Sequence, residues 1–406
     1  MKKLLLIYLL LFFNNKANAQ LGCTDVKANN FNPTATINDG SCTYNGANIS
    51  PATTKNLGAQ LPETSGLIFW NNTLWSHNDD ADIKLYTVDT ASAAVLQSYT
   101  LTNTINKDWE EISQDSAYIY VGDFGNNSNG NRTDLHILRI EKNSLLLNAP
   151  IIDTIYFSYS NQTNFTATGA NNTNFDCEAF LVSTDSIYLF TKQWVAEKTS
   201  VYALPKTPGT HIAQLRSIIN IQGLATGITY LESKRVAVIC GYSKTLQPFF
   251  YLLYDFKNND FANGNKRKIS ANLLFHQIEG IATSNGLKYY ASNEYFSTLN
   301  VPQKLHTFDL TNFLGVHVNG ITTNISTSKK LQRISVFPNP VDELLQLKIS
   351  NELIGTVCSI YDLNGKNILQ TTLVNTVTTL DITNFAKGMY IICIDGQDDE
   401  SAFIKQ

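Results

Sequence analysis

Charged side chains are scarce in this 406-residue sequence, 16% of the total, and acids outnumber bases 34 to 30. A protein that grips nucleic acid needs clustered Lys and Arg to neutralise phosphates. The longest basic run is residues 266–268, read here as a solvated strand edge, so nucleic acid is not an expected partner. Long apolar runs are missing too. Beyond the first twenty residues nothing approaches the eighteen or more apolar residues of a bilayer-crossing helix, and no transmembrane helix is expected. There is no G-x-S-x-G, no Walker loop and no H-E-x-x-H, which removes the commonest nucleophile, phosphate-cradle and zinc-protease signatures. No segment holds the helix period over a useful length. The 21 Phe and 19 Tyr, with many Val, Ile and Thr, suit packed sheets instead.

What is present begins with MKKLLLIYLLLFFNNKANAQ. Lys2 and Lys3, an apolar run over residues 4–13, and Ala17 and Ala19 in A-x-A register predict a secretory signal peptide over residues 1–19. Export permits disulfides. Of six cysteines, Cys23 and Cys42 bracket a segment with no apolar core of its own and are expected to pair. Cys177 and Cys240 read as buried thiols, pairing only if neighbouring repeat units bring them together. Strand parity puts Cys358 on the face of Ile360 and Cys393 on the opposite face from Ile392 and Ile394, so those two should not meet.

Residues 20–47 read as a Cys-bracketed, Asn/Asp-rich module. Asp25, Asn30, Asn32 and Asp39 could offer oxygens to calcium, but capping of their own turns is the favoured reading. The order GCTD, then A-N-N-F, then DGSC resembles a short module of secreted Bacteroidetes proteins. Residues 322–333, poor in apolar side chains, predict a linker. Residues 334–406 then show short Val/Ile-rich runs punctuated by turns, which predict a small C-terminal β-sandwich. Here the order FPNP, YDLNGK, GMYIICI and a near-terminal Lys405 resembles the type A C-terminal sorting domain of type IX secretion. That resemblance implies an export address read by the type IX secretion machinery. It places the chain at the outer-membrane surface or outside the cell, after signal-peptide passage to the periplasm.

Between residues 48 and 321 a pattern recurs five times. Each unit opens on SGLIF at Ser65, EEIS at Glu110, EAFLV at Glu178, TGITY at Thr226 or EGIAT at Glu279, at intervals of 45, 68, 48 and 53 residues. A second strand follows in each (LWSHND, IYVGDFG, IYLFTK, VAVICGY, YYASNE), then a third, and a fourth in at least four of the units. Four short strands per repeat predict an all-β chain with a five-bladed β-propeller. A sixth, degenerate blade is the alternative, placed in the long second interval where ATGANNTN looks inserted. Residues 48–60 are expected to supply a closing strand, removing open edges.

Two residues beyond each lead position stands an apolar one, Leu67, Ile112, Phe180, Ile228 or Ile281, which belongs between blades. The leads Ser65, Glu110, Glu178, Thr226 and Glu279 therefore face the central channel as a ring of oxygens. Three facing carboxylates repel unless protonated or bridged by a cation. Calcium is the expected occupant, because it takes six to eight oxygen ligands, whereas zinc favours the His and Cys that the ring lacks. The Ser, Glu, Glu, Thr, Glu order, with LWSHNDDADIKLY and DWEEIS…IYVGDFG, resembles the five-bladed calcium-activated nucleotidases, which implies a central calcium and action on nucleotides. Two departures stand against the second implication. Ala81 follows Asp79 and Asp80 where that family has a basic residue, and NNSN follows Gly125 where it has a charged-aromatic segment.

At the channel mouth, His77, Asp79, Asp80, Asp123, Lys192, Asn293 and Glu294 are expected on loops after second strands, as candidate ligand-binding groups. Trp75, Trp109 and Trp194 lie near the same strand ends, where core packing is favoured over stacking on a sugar. The function expected is an exported small-molecule-, glycan- or surface-binding module with a central calcium. The alternative is a calcium-dependent hydrolase, either a phosphohydrolase or, less favoured, a glycosidase using Glu110 and Glu279.

Overall fold

The computed structural model describes residues 19–80, 82–320, 334–362, 366–394 and 400–406. Most of the expected leader, Ala81 and the whole of the linker lie outside them. The chain forms two compact units, Met1–Thr323 and Asn324–Gln406.

In the first unit the strands form five four-stranded antiparallel meanders. They comprise Thr64–Trp70, Thr73–Asn78, Lys84–Val88 and Val95–Thr100 in the first, and Trp109–Gln114, Tyr118–Asp123, His136–Glu141 and Ile152–Tyr159 in the second. The third has Asp176–Val182, Ser186–Lys192, Thr199–Pro205 and Gly209–Ile219; the fourth has Leu224–Leu231, Val236–Tyr242, Pro248–Tyr254 and Asn265–Ala271. The fifth takes Ile278–Thr283, Lys288–Asn293 and Lys304–Asp309 from the end of the unit and its outermost strand, Thr53–Asn56, from the beginning. The closing strand expected in residues 48–60 is this one. Within the long second interval, residues 160–175 form a loop.

Burial explains the ring. Alternate residues of each sheet point to opposite faces, and both faces are apolar, so each meander must pack against two neighbours. Five apolar clusters fill the five junctions, and Leu67, Leu74, Ala282, Tyr290 and Leu305 join the last meander to the first. Between the second and third meanders Phe124, Phe157, Phe180 and Tyr202 interlock, with Phe124 edge-on to Phe180 at 5.5 Å. The outer strands of these two meanders also pair in parallel, Ile155 with Gly209 through Tyr159 with Ala213, which covers two otherwise open edges.

Residues 19–47 dock on the fourth meander. Cys23 and Cys42 form a disulfide. Asp25 accepts hydrogen bonds from Tyr44 at 2.7 Å and Tyr254 at 2.6 Å, and Asn38 donates to Asp255 at 2.9 Å. Asp25, Asn32 and Asp39 each accept the backbone N–H two residues on, from Lys27, Thr34 and Ser41, as turn formers do, whereas Asn30 braces the module by accepting from Thr43 N.

Two sequence expectations fail. Residues 266–268 are not a solvated edge. Lys266 and Lys268 are partly buried and donate to backbone carbonyls of Ala262 and Gln222, while Arg267 lies over the rings of Tyr44 and Phe313. Second, a helix does form, Thr311–Gly320, seating Leu314 and Val318 in the cluster between the fourth and fifth meanders. Its apolar face is too narrow to register as a period, and packing rather than propensity holds it. Cys177 and Cys240 are buried thiols, each in its own meander.

In the second unit, Ile334–Phe337, Leu344–Ile349 and Val377–Asp381 form one sheet, and Asn367–Thr372, Val357–Asp362, Gly388–Ile394 and Glu400–Lys405 another. Their inner faces share a core of Leu345, Leu347, Ile360, Ile392 and Phe403. Cys358 is fully buried beside Ile360, and Cys393 sits on the other face, as parity required. No helix among the described residues is long and apolar enough to cross a membrane.

Candidate functional site: an acidic cavity on the axis

The site is made by an irregularity repeated five times. In each meander the register between first and second strands slips at the lead position. Pairing skips Ser65 between Thr64 and Leu67, Glu110 between Trp109 and Glu111, and Glu178 between Cys177 and Ala179. It skips Thr226 between Ala225 and Gly227, and Glu279 between Ile278 and Gly280. A β-bulge leaves one residue outside the ladder and re-aims its side chain. The five leads are buried, and Ser65, Glu110, Glu178 and Glu279 line one cavity of about 250 Å³ on the axis. The two hydroxyls stitch neighbouring inner strands together, Ser65 donating to the Glu110 carbonyl and Thr226 to that of Ile278.

More carboxylates converge than the leads alone. Glu110, Asp176 and Glu178 place one oxygen each within 4.8 Å of one another, and Glu63, Asp79 and Glu294 do the same nearer the surface. Asp176 is held rigidly, accepting from the Asn126 backbone at 2.6 Å and from the Trp194 indole at 2.7 Å. Glu63, Asp108, Asp176 and Gln277 all stand two residues before a lead, so period-two alternation could have found them.

One cation is built in. The Lys192 ammonium bonds Glu178 at 2.5 Å and the Tyr242 hydroxyl at 3.2 Å, and lies over the rings of Trp194 and Tyr242. Burial alone would lower the Lys192 pKa, but Glu178 and its acidic neighbours outweigh it and hold the group well above its usual value. Burial, reinforced by neighbouring carboxylates, pushes Glu110, Glu178 and Glu279 well above the carboxylate range. For the same two reasons Asp79 rises to about 8 and Glu294 to about 7.

The layer beneath is different. The positions after the leads are Gly66, Glu111, Ala179, Gly227 and Gly280. The single carboxylate, Glu111, accepts from its neighbour Ile112 N at 3.0 Å and, across the axis, from Ile228 N at 2.8 Å. A Cβ on Gly66 would overlap the Glu111 carboxylate, so the small residues make its room.

Of the expected mouth residues, Asp79, Lys192 and Glu294 line the cavity. His77, Asp123 and Asn293 do not, because each side chain is engaged by partners outside the cavity. His77 is fully buried against Trp109. Asp123 pairs with Arg132 at 2.6 Å. Asn293 bonds His306 at 2.9 Å and the Pro302 carbonyl. Asp80 lies outside the lining. Trp75 and Trp109 are core residues, whereas Trp194 lines the cavity.

The lining suits a hard divalent cation. It offers carboxylate, amide and hydroxyl oxygens, with neither His nor Cys, and after Lys192 offsets Glu178 several carboxylates remain uncompensated. Gly125 faces the carboxylates of Glu110 and Asp108, where a Cβ would overlap both.

Residues 335–405 match the family of secretion system C-terminal sorting domains. The chain therefore carries a type IX secretion sorting domain, which implies interaction with that machinery and export to the cell surface or extracellular space. Its central region is propeller-like, and the structures it is similar to include propeller-type proteins. PorZ, an essential surface component of the type IX secretion system of Porphyromonas gingivalis, is 14% identical with a TM-score of 0.31, over 84% of this chain and 45% of PorZ. This chain thus spans less than half of PorZ's length. An exo-β-1,3-galactanase from Phanerochaete chrysosporium is 10% identical with a TM-score of 0.37, over 88% of this chain and 98% of that one. The WD40 repeats of RRP9 are 10% identical with a TM-score of 0.33, over 64% and 98%. Likeness at this level says nothing of activity. No curated protein matches the chain.

Proposed function

We propose that the chain is an exported ligand-binding protein: a leader over residues 1–19, a disulfide-stapled module over 20–47, a five-bladed propeller over 48–321 with calcium on its axis, a linker over 322–333, and a sandwich-type sorting domain over 334–406. The observation that carries the calcium is the surplus of carboxylates over the one ammonium in one cavity, to which three of the bulges bring Glu110, Glu178 and Glu279. Glu110, Asp176 and Glu178 are the core ligands, with Glu279 and the Ser65 hydroxyl completing an oxygen shell of the kind calcium accepts. Binding ranks above catalysis because the lining supplies no activated nucleophile and its only ammonium is already committed to Glu178.

Calcium that binds only the folded state stabilises it by RT ln(1 + [L]/Kd), about 2.7 kcal/mol at a hundredfold excess over Kd. All four tryptophans, Trp70, Trp75, Trp109 and Trp194, precede the sorting domain, so fluorescence melting follows the propeller alone. Calcium raises that melting temperature, a chelator lowers it, and Glu110→Gln abolishes the difference. A melting temperature indifferent to calcium in the unaltered chain refutes the central ion.

One observation favours the hydrolase alternative. Asp79 and Glu294 bring carboxyl oxygens within 4.8 Å of each other beside Glu63 at the cavity lip, where burial and repulsion among these acids raise them to about 8 and about 7 and favour a proton donor. Calcium-dependent turnover of an aryl glycoside or nucleoside diphosphate, lost in Asp79→Asn, would establish it.

A further inference from the structure

Two Asn-rich loops meet beside the axial cavity and each lends it one residue. One follows Asp123 and carries NNSNGN; the other is the insertion NQTNFTATGANNTN of the long second interval. Their backbones are zipped together, with Asn171 N–H donating to Asn127 O at 2.8 Å and Thr168 N–H to Asn129 O at 2.9 Å. The side chains of Asn127 and Asn171 line the cavity with Gln277. Asn127 is half-buried and Asn171 exposed, and neither side chain makes a hydrogen bond within the described residues, so both amides are free to meet a ligand in place of water; half-buried Gln277 reaches only the Tyr242 hydroxyl, at 3.5 Å. An amide carries both donors and an acceptor, which complements a hydroxyl group, itself donor and acceptor.

Size and charge narrow the occupant. At about 250 Å³ the cavity falls below the volume of sites that enclose drug-sized or nucleotide ligands. Its carboxylates repel phosphate, and the only lining ammonium is engaged by Glu178 and Tyr242. Trp194, fixed through its indole N–H to Asp176, and Tyr242 give the wall two aromatic side chains, with the Lys192 ammonium over both rings. Vicinal hydroxyls can replace water on a calcium ion while the remaining hydroxyls meet amides and carboxylates.

We propose that the axial cavity takes a neutral polyhydroxylated ligand the size of one pyranose ring, its hydroxyls read by Asn127, Asn171 and Gln277 above the central cation. This rests on the calcium reading above. It makes the two paired loops and Gln277 the specificity-determining elements of the site.

The test is calorimetric titration of the full chain, in saturating calcium and in chelator, with methyl glycosides of galactose, mannose and fucose, with ADP, and with spermidine. One of the glycosides binds with a Kd on the order of 1 mM or tighter, and the affinity falls about tenfold in Asn127→Ala and Gln277→Ala. In both variants the calcium-induced melting shift stays intact. Tighter binding of ADP or spermidine than of every glycoside overturns the proposal, as does silence of all three glycosides while the calcium shift is present. If the calcium shift is itself absent, the central-ion reading fails and the chelator arm decides this one: glycoside binding sensitive to Asn127→Ala sustains the ligand class, and none overturns it.

Discussion

Two adjacent layers of one channel hold the same kind of group under opposite conditions. In the lower layer a lone glutamate, Glu111, is surrounded by Gly66, Ala179, Gly227 and Gly280 and is paired with backbone N–H groups of the second and fourth meanders. In the upper layer Glu110, Glu178 and Glu279 crowd together with further acids and one lysine. Both layers are buried, so burial does not separate them; the number of carboxylates against the one ammonium does. A satisfied buried carboxylate works as a rivet between strands. A crowd of carboxylates sharing one ammonium is costly to keep ionised unless something outside the chain completes it, and that is why the upper layer reads as the site.

Replacing the rivet should do the most damage. Glu111→Leu leaves N–H groups of Ile112 and Ile228 buried without acceptors and should cost about 4 kcal/mol, read by denaturant unfolding with tryptophan fluorescence, equally with and without calcium. A calcium-dependent loss would mean that the two layers are one site. Lys192→Met should come next. It removes the only cation from the upper layer and should cost about 3 kcal/mol in chelator, much of it recovered in calcium, with calcium itself binding more tightly. Unchanged calcium affinity would show that the ammonium and the metal do not share the cavity.

The smallest effect is the pH dependence. The lip carboxyls Asp79 and Glu294 are raised to about 8 and about 7. Over the interval between the ordinary carboxyl pKa and those values, the folded chain holds protons that the unfolded chain has released. Stability therefore falls as pH rises through that interval. In chelator the propeller's melting temperature should drop by several degrees between about pH 5 and pH 8, and calcium should flatten the slope. A stability that rises with pH over that range would refute the account of the upper layer.

Much of this contrast was legible before any coordinates. The leads recur because each opens the innermost strand of a meander, and a small or acidic residue followed two positions later by a large apolar one is visible by eye. Asp176, Asp108 and Glu63 carry the same parity signal two residues earlier. The bulges were out of reach, because a register slip is a property of two strands and leaves no mark in one. The mouth residues failed by a residue or two at strand ends. His77, Asp123 and Asn293 prolong their strands and turn inward, while Asp79 and Glu294, immediately beyond, reach the cavity. Lys192 was expected at the mouth as a ligand contact; its role as internal counter-ion depends on Glu178 and Tyr242, from two different meanders.

The strand that completes the fifth meander has a consequence for how this chain comes into being. Thr53 and Thr307 are bonded through their hydroxyls at 2.7 Å, although some 250 residues separate them along the chain. The circle is sealed like a clasp, by its two ends, and loop-closure entropy is largest for such a contact. A nascent or part-exported chain lacking residues 304–309 has nothing for its first strand to clasp, so the ring can shut only after the whole length of it has arrived. The sorting domain, which follows the clasp in sequence, is made later still.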